Sequence, residues 1–211
     1  MIAVVAEPVV EVIVAAEVIV AREVAAVQDL GAEIAEAEVV VAELDARQSL
    51  PSPLGDAKAF FDSAVRLLDH NSPEIACPVI VDLLKRILPQ LPSLCHDEGF
   101  RVLHEHPGGL TMMVHWHPES VWSQPHDHGK TWAIYGQVSG RTGMHDCEDI
   151  GEGKVKLTRS YWVMPGEVYY YPIGAIHCHQ TYDDAKLIRL EGQNFRHPGL
   201  DWQGHYYTVN N

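Results

Sequence analysis

Thirteen histidines stand in 211 residues, and eight of them form four His-x-His pairs: His104/His106, His115/His117, His126/His128 and His177/His179. A random order of the same composition would give fewer than one such pair. Each imidazole offers a metal one lone pair, and alternation along a strand puts both members of a pair on one face. A shared face is necessary for a common metal but not sufficient. A turn must hold the pair, and the fold must bring a third ligand to it. His126 and His128 have that context: Pro125 fixes the entry, Gly129 allows a tight backbone, and Gly140 is expected to close the strand that follows. The third ligand is offered by PGEVYYYPIGAIHCH, residues 165–179, where Gly166, Pro172, Gly174 and His177 read as strand, turn and returning strand. The remaining pairs read differently. His115 and His117 flank Trp116 on an expected strand and read as packing or hydrogen-bonding groups. His104 and His106 precede a Pro-Gly-Gly turn and read as surface residues, as does His145 in an expected loop. His179 shares a face with His177 and is a candidate to line a pocket.

The elements that must position these residues follow from the rest of the chain. Residues 1–48 are an Ala/Val/Glu-rich low-complexity segment of ten acids against Arg22 and Arg47. Its valines follow neither a period of two nor of 3.6, so no structure is assigned to it. Residues 49–211 form the expected catalytic domain. A helix is expected from Asp56 to His70, with Phe60, Phe61, Ala64, Leu67 and Leu68 along one stripe. A second helix, capped by Asn71 or Ser72 and opened by Pro73, carries Ile75, Val79, Leu83 and Leu84 at helical spacing before Pro89 and Pro92. From Arg101 onward the pattern changes to short β-rich runs divided by Gly, Pro and Asp, the signature of an all-β barrel or sandwich. The net charge of −14 and only 15 Lys and Arg argue against a nucleic-acid partner. The acids that interrupt the Val-rich start argue against a membrane span, and four cysteines without C-x-x-C spacing suit a reducing compartment; a cytoplasmic protein is expected. No oligomeric state is assigned.

The motifs resemble those of the cupin family. The spacing of Gly166, Pro172, Gly174 and His177 matches the second cupin motif in full, and His126, His128 and Gly140 match the first. Ser120 stands where that motif opens with glycine, and Ala133, or Trp132 in the shorter spacing, stands where it places its metal-binding glutamate. The resemblance implies a mainly β fold: a cupin double-stranded β-helix, or jelly-roll barrel, preceded by two or three α-helices. A cupin without its glutamate resembles the thiol dioxygenases, cysteine dioxygenase and mercaptopropionate dioxygenase among them, which hold iron with three histidines. The implied metal ligands are His126, His128 and His177. The crosslinking cysteine of the animal enzymes is absent at Ala133, and in place of their Ser-x-His-x-Tyr triad Leu187, Arg189 and Glu191 are expected on the inward face of the later strand. Arg189, Glu191 and His179 become candidate catalytic or supporting groups, and Arg101 and Arg189 candidate partners of a substrate carboxylate. Arg189 and Glu191 also read as a plain ion pair at the barrel rim.

Three neutral imidazoles leave a bound Fe(II) with its full double charge, whereas a site with a carboxylate would already be partly neutralised. Such a site seeks an anion. A thiol drawn to it loses its proton, and addition of both atoms of O2 to the sulfur gives a sulfinic acid. The expected partners are therefore a small, carboxylated thiol and O2. Zinc or nickel also fits three histidines, and zinc would activate a water instead. Two other readings stay open: a three-histidine cupin enzyme of another kind, such as a diketone-cleaving dioxygenase, and a non-catalytic metal-binding module.

Overall fold

A computed structural model of the chain describes residues 53–193 and 204–210; the low-complexity segment 1–48 lies outside the described residues. Helix α1, Pro53–His70, is followed by α2, Pro73–Ile87, and by two single 3₁₀ turns, Leu88–Gln90 and Pro92–Leu94. Seven strands come next: β1 Gly99–Glu105, β2 Thr111–His117, β3 Ala133–Gly151, β4 Lys154–Val163, β5 Val168–Tyr171, β6 Ile176–Glu191 and β7 Thr208–Val209. They form one sheet in the order β1-β2-β6-β3-β4-β7, with β5 also paired to β3. All pairings are antiparallel except β4 with β7. The mainly β architecture with leading helices is the one expected.

The helices arise where the punctuation places them. Pro73 opens α2 after Ser72, although the Ser72 side chain makes no capping hydrogen bond. The buried stripe of α1 contains Phe60, Phe61, Ala64 and Leu67 as expected, while Leu68 stands half-buried at its edge. In α2 the buried face is Ala76, Cys77, Ile80, Leu83 and Leu84, so Ile75 and Val79 stand at its half-buried edge. A Cβ on Gly136 of β3 would lie 3.0 Å from a Leu88 methyl and 3.1 Å from a Leu84 methyl, tighter than ordinary contact, so the helical segment lies close against the sheet there.

Strand β3 runs through Gly140 without a break for 19 residues, and the stretch carrying Leu187, Arg189 and Glu191 is the end of β6, 16 residues long. Gly140 does not close a strand; it is a bulge within one. Its φ is +63°, and a Cβ there would meet the carbonyl oxygens of Asp183 and Tyr182 at 2.6 Å. Opposite it, Asp183 and Asp184 also have positive φ, and the β3–β6 register shifts on both sides of Ser139. The two longest strands therefore bend together, and the sheet curls.

Alternation divides the sheet into two sides. One row, Met112, Leu190 and Ile134, runs in register across β2, β6 and β3 and packs with the helices. The neighbouring row, Thr111, Glu191 and Ala133, belongs to the other, inner side, as do Arg189 and Tyr135 one rung further. The inner side also holds an apolar cluster of Ala133, Tyr135, Met144, Val163, Tyr171, Ala185 and Leu187.

A candidate metal centre

His126 and His177 are joined through their backbones. Each donates its N–H to the other's carbonyl, at 2.9 and 3.0 Å, forming an isolated antiparallel rung. His128 follows two residues on, past Asp127. The result is a cluster of three rings, with centroids 4.7 Å apart for His126–His177, 5.1 Å for His128–His177 and 5.3 Å for His126–His128. One nitrogen from each lies within 4.8 Å of the others, a spacing that a single ion can bridge. Among the described residues this is the group so arranged.

The state of the rings suits a cation. Burial lowers the pKa of His126, and burial followed by the charge of Arg189 lowers that of His128 to about 2. Burial, reinforced by His126 and His128, pushes His177 well below its ordinary value. All three therefore favour the neutral form at physiological pH, in which one nitrogen of each ring bears a lone pair. His126 Nδ1–H donates to the Gln124 carbonyl at 2.8 Å, which leaves Nε2 as its lone pair. His177 is wholly buried, stacks on Tyr171 at 4.1 Å, and has no hydrogen-bond partner for either ring nitrogen among the described residues. An unsatisfied buried polar atom costs about 1–3 kcal/mol, and coordination of an ion by His177 would remove that cost. The donor set therefore fits a divalent transition metal.

Around the ligands stand groups that the motifs did not reveal. Tyr135 is in the apolar cluster yet brings its hydroxyl to 3.3 Å from His128 Nε2. Strand parity was the available signal, since Tyr135 lies two residues beyond Ala133 on the same side. Asp127, between two ligands, turns its carboxylate the other way. It accepts hydrogen bonds from the Gly129 and His205 amides, the His205 ring and the Tyr207 hydroxyl at 2.8–3.1 Å. Burial raises its pKa, but those hydrogen bonds outweigh burial and hold it below the ordinary carboxylate value. Asp127 thus ties residues 204–210 to the ligand loop, where Tyr206 lies 6.0 Å from the His126 ring.

The other candidates are placed as follows. Arg189 and Glu191 are buried on the inner side and paired with each other. Arg189 Nη2 is 3.2 Å from His128 Nδ1, and Glu191 Oε1 is 3.3 Å from the same nitrogen. His179 stands next to the cluster rather than in it, with Nδ1 2.9 Å from Ser123 Oγ; burial and then His126 lower its pKa to about 3. Arg101 lies on the edge strand β1, separated from β6 by β2, and reaches the Leu94 carbonyl at 3.0 Å and Asp97 at 3.5 Å. Ala133, not Trp132, occupies the inner row, in register with Glu191, while Trp132 is 6.5 Å from Tyr170. Of the remaining histidines, His104 is half-buried beside Phe61 rather than on the surface. His145 is on β3, 2.8 Å from Ser160 Oγ, rather than in a loop.

No family profile and no curated protein sequence matches the chain. Solved structures similar to it are cupins. KdgF from a Halomonas species is 18% identical with a TM-score of 0.36, over 44% of this chain and 74% of that one. A cupin superfamily protein from Desulfitobacterium hafniense is 11% identical with a TM-score of 0.39, over 48% of this chain and 86% of that one. The DMSP lyase DddQ from Ruegeria pomeroyi is 18% identical with a TM-score of 0.37, over 50% of this chain and 49% of that one, so the chain spans about half the lyase. Likeness at this level carries no chemistry from those proteins to this chain. Among the described residues no helix is long and apolar enough to cross a membrane.

Proposed function

We propose that the chain is a cupin-type metalloenzyme that uses O2 to oxidise a small, carboxylated thiol to its sulfinic acid, with Fe(II) held by His126, His128 and His177. One observation carries this reading: the ligand group is three histidines held neutral, with no carboxylate among them. Bound there, iron would supply a Lewis acid for an anionic substrate and a redox centre able to use O2. The overall change, R–S⁻ + O2 to R–SO2⁻, leaves both oxygen atoms on sulfur and needs no further reductant.

The chain's own groups have complementary tasks. Arg189 and Glu191 carry opposite charges and offset each other, so the net charge of the loaded site is that of the metal and calls for an anion. Arg189 is the cation in contact with a ligand histidine, and in this reading its guanidinium orients the substrate carboxylate. The Tyr135 hydroxyl and the His179 ring line the same side and can donate or accept a proton there. Tyr171 and Tyr135 wall the site with aromatic surface, which limits water.

The test is metal analysis of protein purified anaerobically, followed by oxygen uptake over a panel of thiols and diketones. Stoichiometric iron and uptake with a carboxylated thiol are expected. Uptake with diketones and none with any thiol would replace the thiol reading by the carbon–carbon-cleaving one. Metal without uptake of either kind would leave a binding module.

A further inference from the structure

The acid missing at position 133 has a counterpart across the sheet. Glu191 sits directly opposite Ala133 in the β3–β6 ladder, is fully buried, and has Oε1 3.3 Å from His128 Nδ1, a proximity without hydrogen-bond geometry that leaves both carboxylate oxygens without a hydrogen-bond partner among the described residues. Arg189 Nη2 approaches the same nitrogen at 3.2 Å and is also the partner of that carboxylate. The two contacts ask opposite things of the ring. A guanidinium has only donors, so satisfying it would make Nδ1 the acceptor and put the proton on Nε2. A carboxylate only accepts, so satisfying it puts the proton on Nδ1 and leaves Nε2 with its lone pair. Nε2 is the nitrogen on the far side of the ring, near Tyr135.

We infer that Glu191 is a positioning residue that holds the Nδ1–H of His128 and so selects the ring form whose Nε2 binds the metal. The inference rests on the metal-centre reading above. It moves the acid from among the ligands to a position behind one of them. The ion keeps its double charge, while one ligand gains a stronger hydrogen-bond acceptor at its back. Arg189 then has a distinct duty: it supplies the counter-charge that lets a wholly buried carboxylate stay in place. His126 is set in the same form by a neutral group, the Gln124 carbonyl. The two rings of the His-x-His pair are therefore held by acceptors of different strength.

The test separates orientation from charge balance. Replacing Glu191 alone would strand Arg189, so the decisive variant is the double substitution Arg189→Met with Glu191→Met, which removes both charges at similar volume. Co(II) and Zn(II) affinity is measured by competition with a chromophoric chelator, thermal melting reports the fold, and ¹⁵N NMR of the zinc-loaded protein reports the His128 ring form. The double variant is expected to melt at or above the wild-type temperature, yet to bind metal about 10- to 100-fold more weakly, the usual effect of losing an outer hydrogen-bond partner. Wild-type protein should show the proton on Nδ1 of His128, and Glu191→Gln should recover part of the affinity lost in Glu191→Ala. Wild-type affinity in the double variant would overturn the inference, as would a proton on Nε2 in the zinc-loaded wild type. Failure of the wild type to bind either ion stoichiometrically would instead overturn the metal centre itself.

Discussion

The two sides of one sheet solve opposite problems with alternate residues of the same strands. On the helix side Met112, Leu190, Ile134 and Ile188 are wholly buried and apolar, and each finds its partners by shape. On the inner side the same strands bury Thr111, Arg189, Glu191 and His177, which need partners of stated charge and direction. A polar residue one position out of phase would therefore be a defect on one side and a functional group on the other. The helix side supplies non-directional stability, and the inner side directs that stability toward holding rings that water would otherwise satisfy.

Substitutions that remove the distinction should have effects in a definite order. The largest is expected from His177→Ala, which should remove most of the bound metal, a loss of about a hundredfold or more in affinity if a three- to four-ligand site is worth 10–16 kcal/mol. Metal content by mass spectrometry checks this, with His115→Ala as the control that keeps its metal; the reverse result would mean that the wrong pair has been chosen. On the other side of the sheet, Leu190→Ala should cost about 2–5 kcal/mol in denaturant unfolding while the folded fraction still binds one ion per chain. Loss of metal without loss of stability would show the two sides to be coupled. Next in size, Arg189→Leu should keep iron but lower kcat/KM for a carboxylated thiol by about tenfold to a few hundredfold, corresponding to about 1.5–3 kcal/mol for a hydrogen bond to a charge. Cysteamine, which lacks the carboxylate, should suffer much less; equal losses would assign Arg189 wholly to Glu191. The smallest effect is no effect. Ala133 offers no sulfur beside the site, so the intact mass of the active protein should show no loss of two hydrogens, and a cysteine–tyrosine crosslinked peptide would refute this.

The helices and the meeting of His126, His128 and His177 were legible because their signals are local. Pro73 and the Pro89/Pro92 pair mark ends, and the histidines sit at fixed offsets from Pro125, Gly174 and each other. The resemblance to the thiol dioxygenases, together with strand parity, placed Leu187, Arg189 and Glu191 on the inner side. What parity cannot state is distance across the ladder, so the meeting of Glu191 with His128, 63 positions earlier, was not readable. The clip between Asp127 and residues 205–207 was hidden for the same reason, since its partners lie 78 and 80 positions apart. The expectation that a strand closes at Gly140 had another cause. Glycine and paired aspartates signal turns in a sequence, yet here Gly140, Asp183 and Asp184 use the same positive φ to bend two strands that stay paired.

That bend also changes the frame in which β3 is read. Before Gly140 the odd positions, Ala133 and Tyr135, face the inner cluster; after it the even position Met144 does, opposite His179, with Asp146 opposite His177. The extra residue acts as a phase shifter, so that one strand presents odd letters opposite Arg189 and Glu191 and even letters opposite His177 and His179. Straightening the bulge without removing a residue would impose a single frame, turning Met144 and Asp146 outward and bringing Gly143 and His145 in. The hydroxyl chain in which Tyr171 meets Tyr161 at 2.5 Å, and Tyr161 donates to Asp146 at 3.1 Å, would lose its terminal acceptor. The aromatic wall behind His177 would then be left without its anchor, although no ligand had been touched.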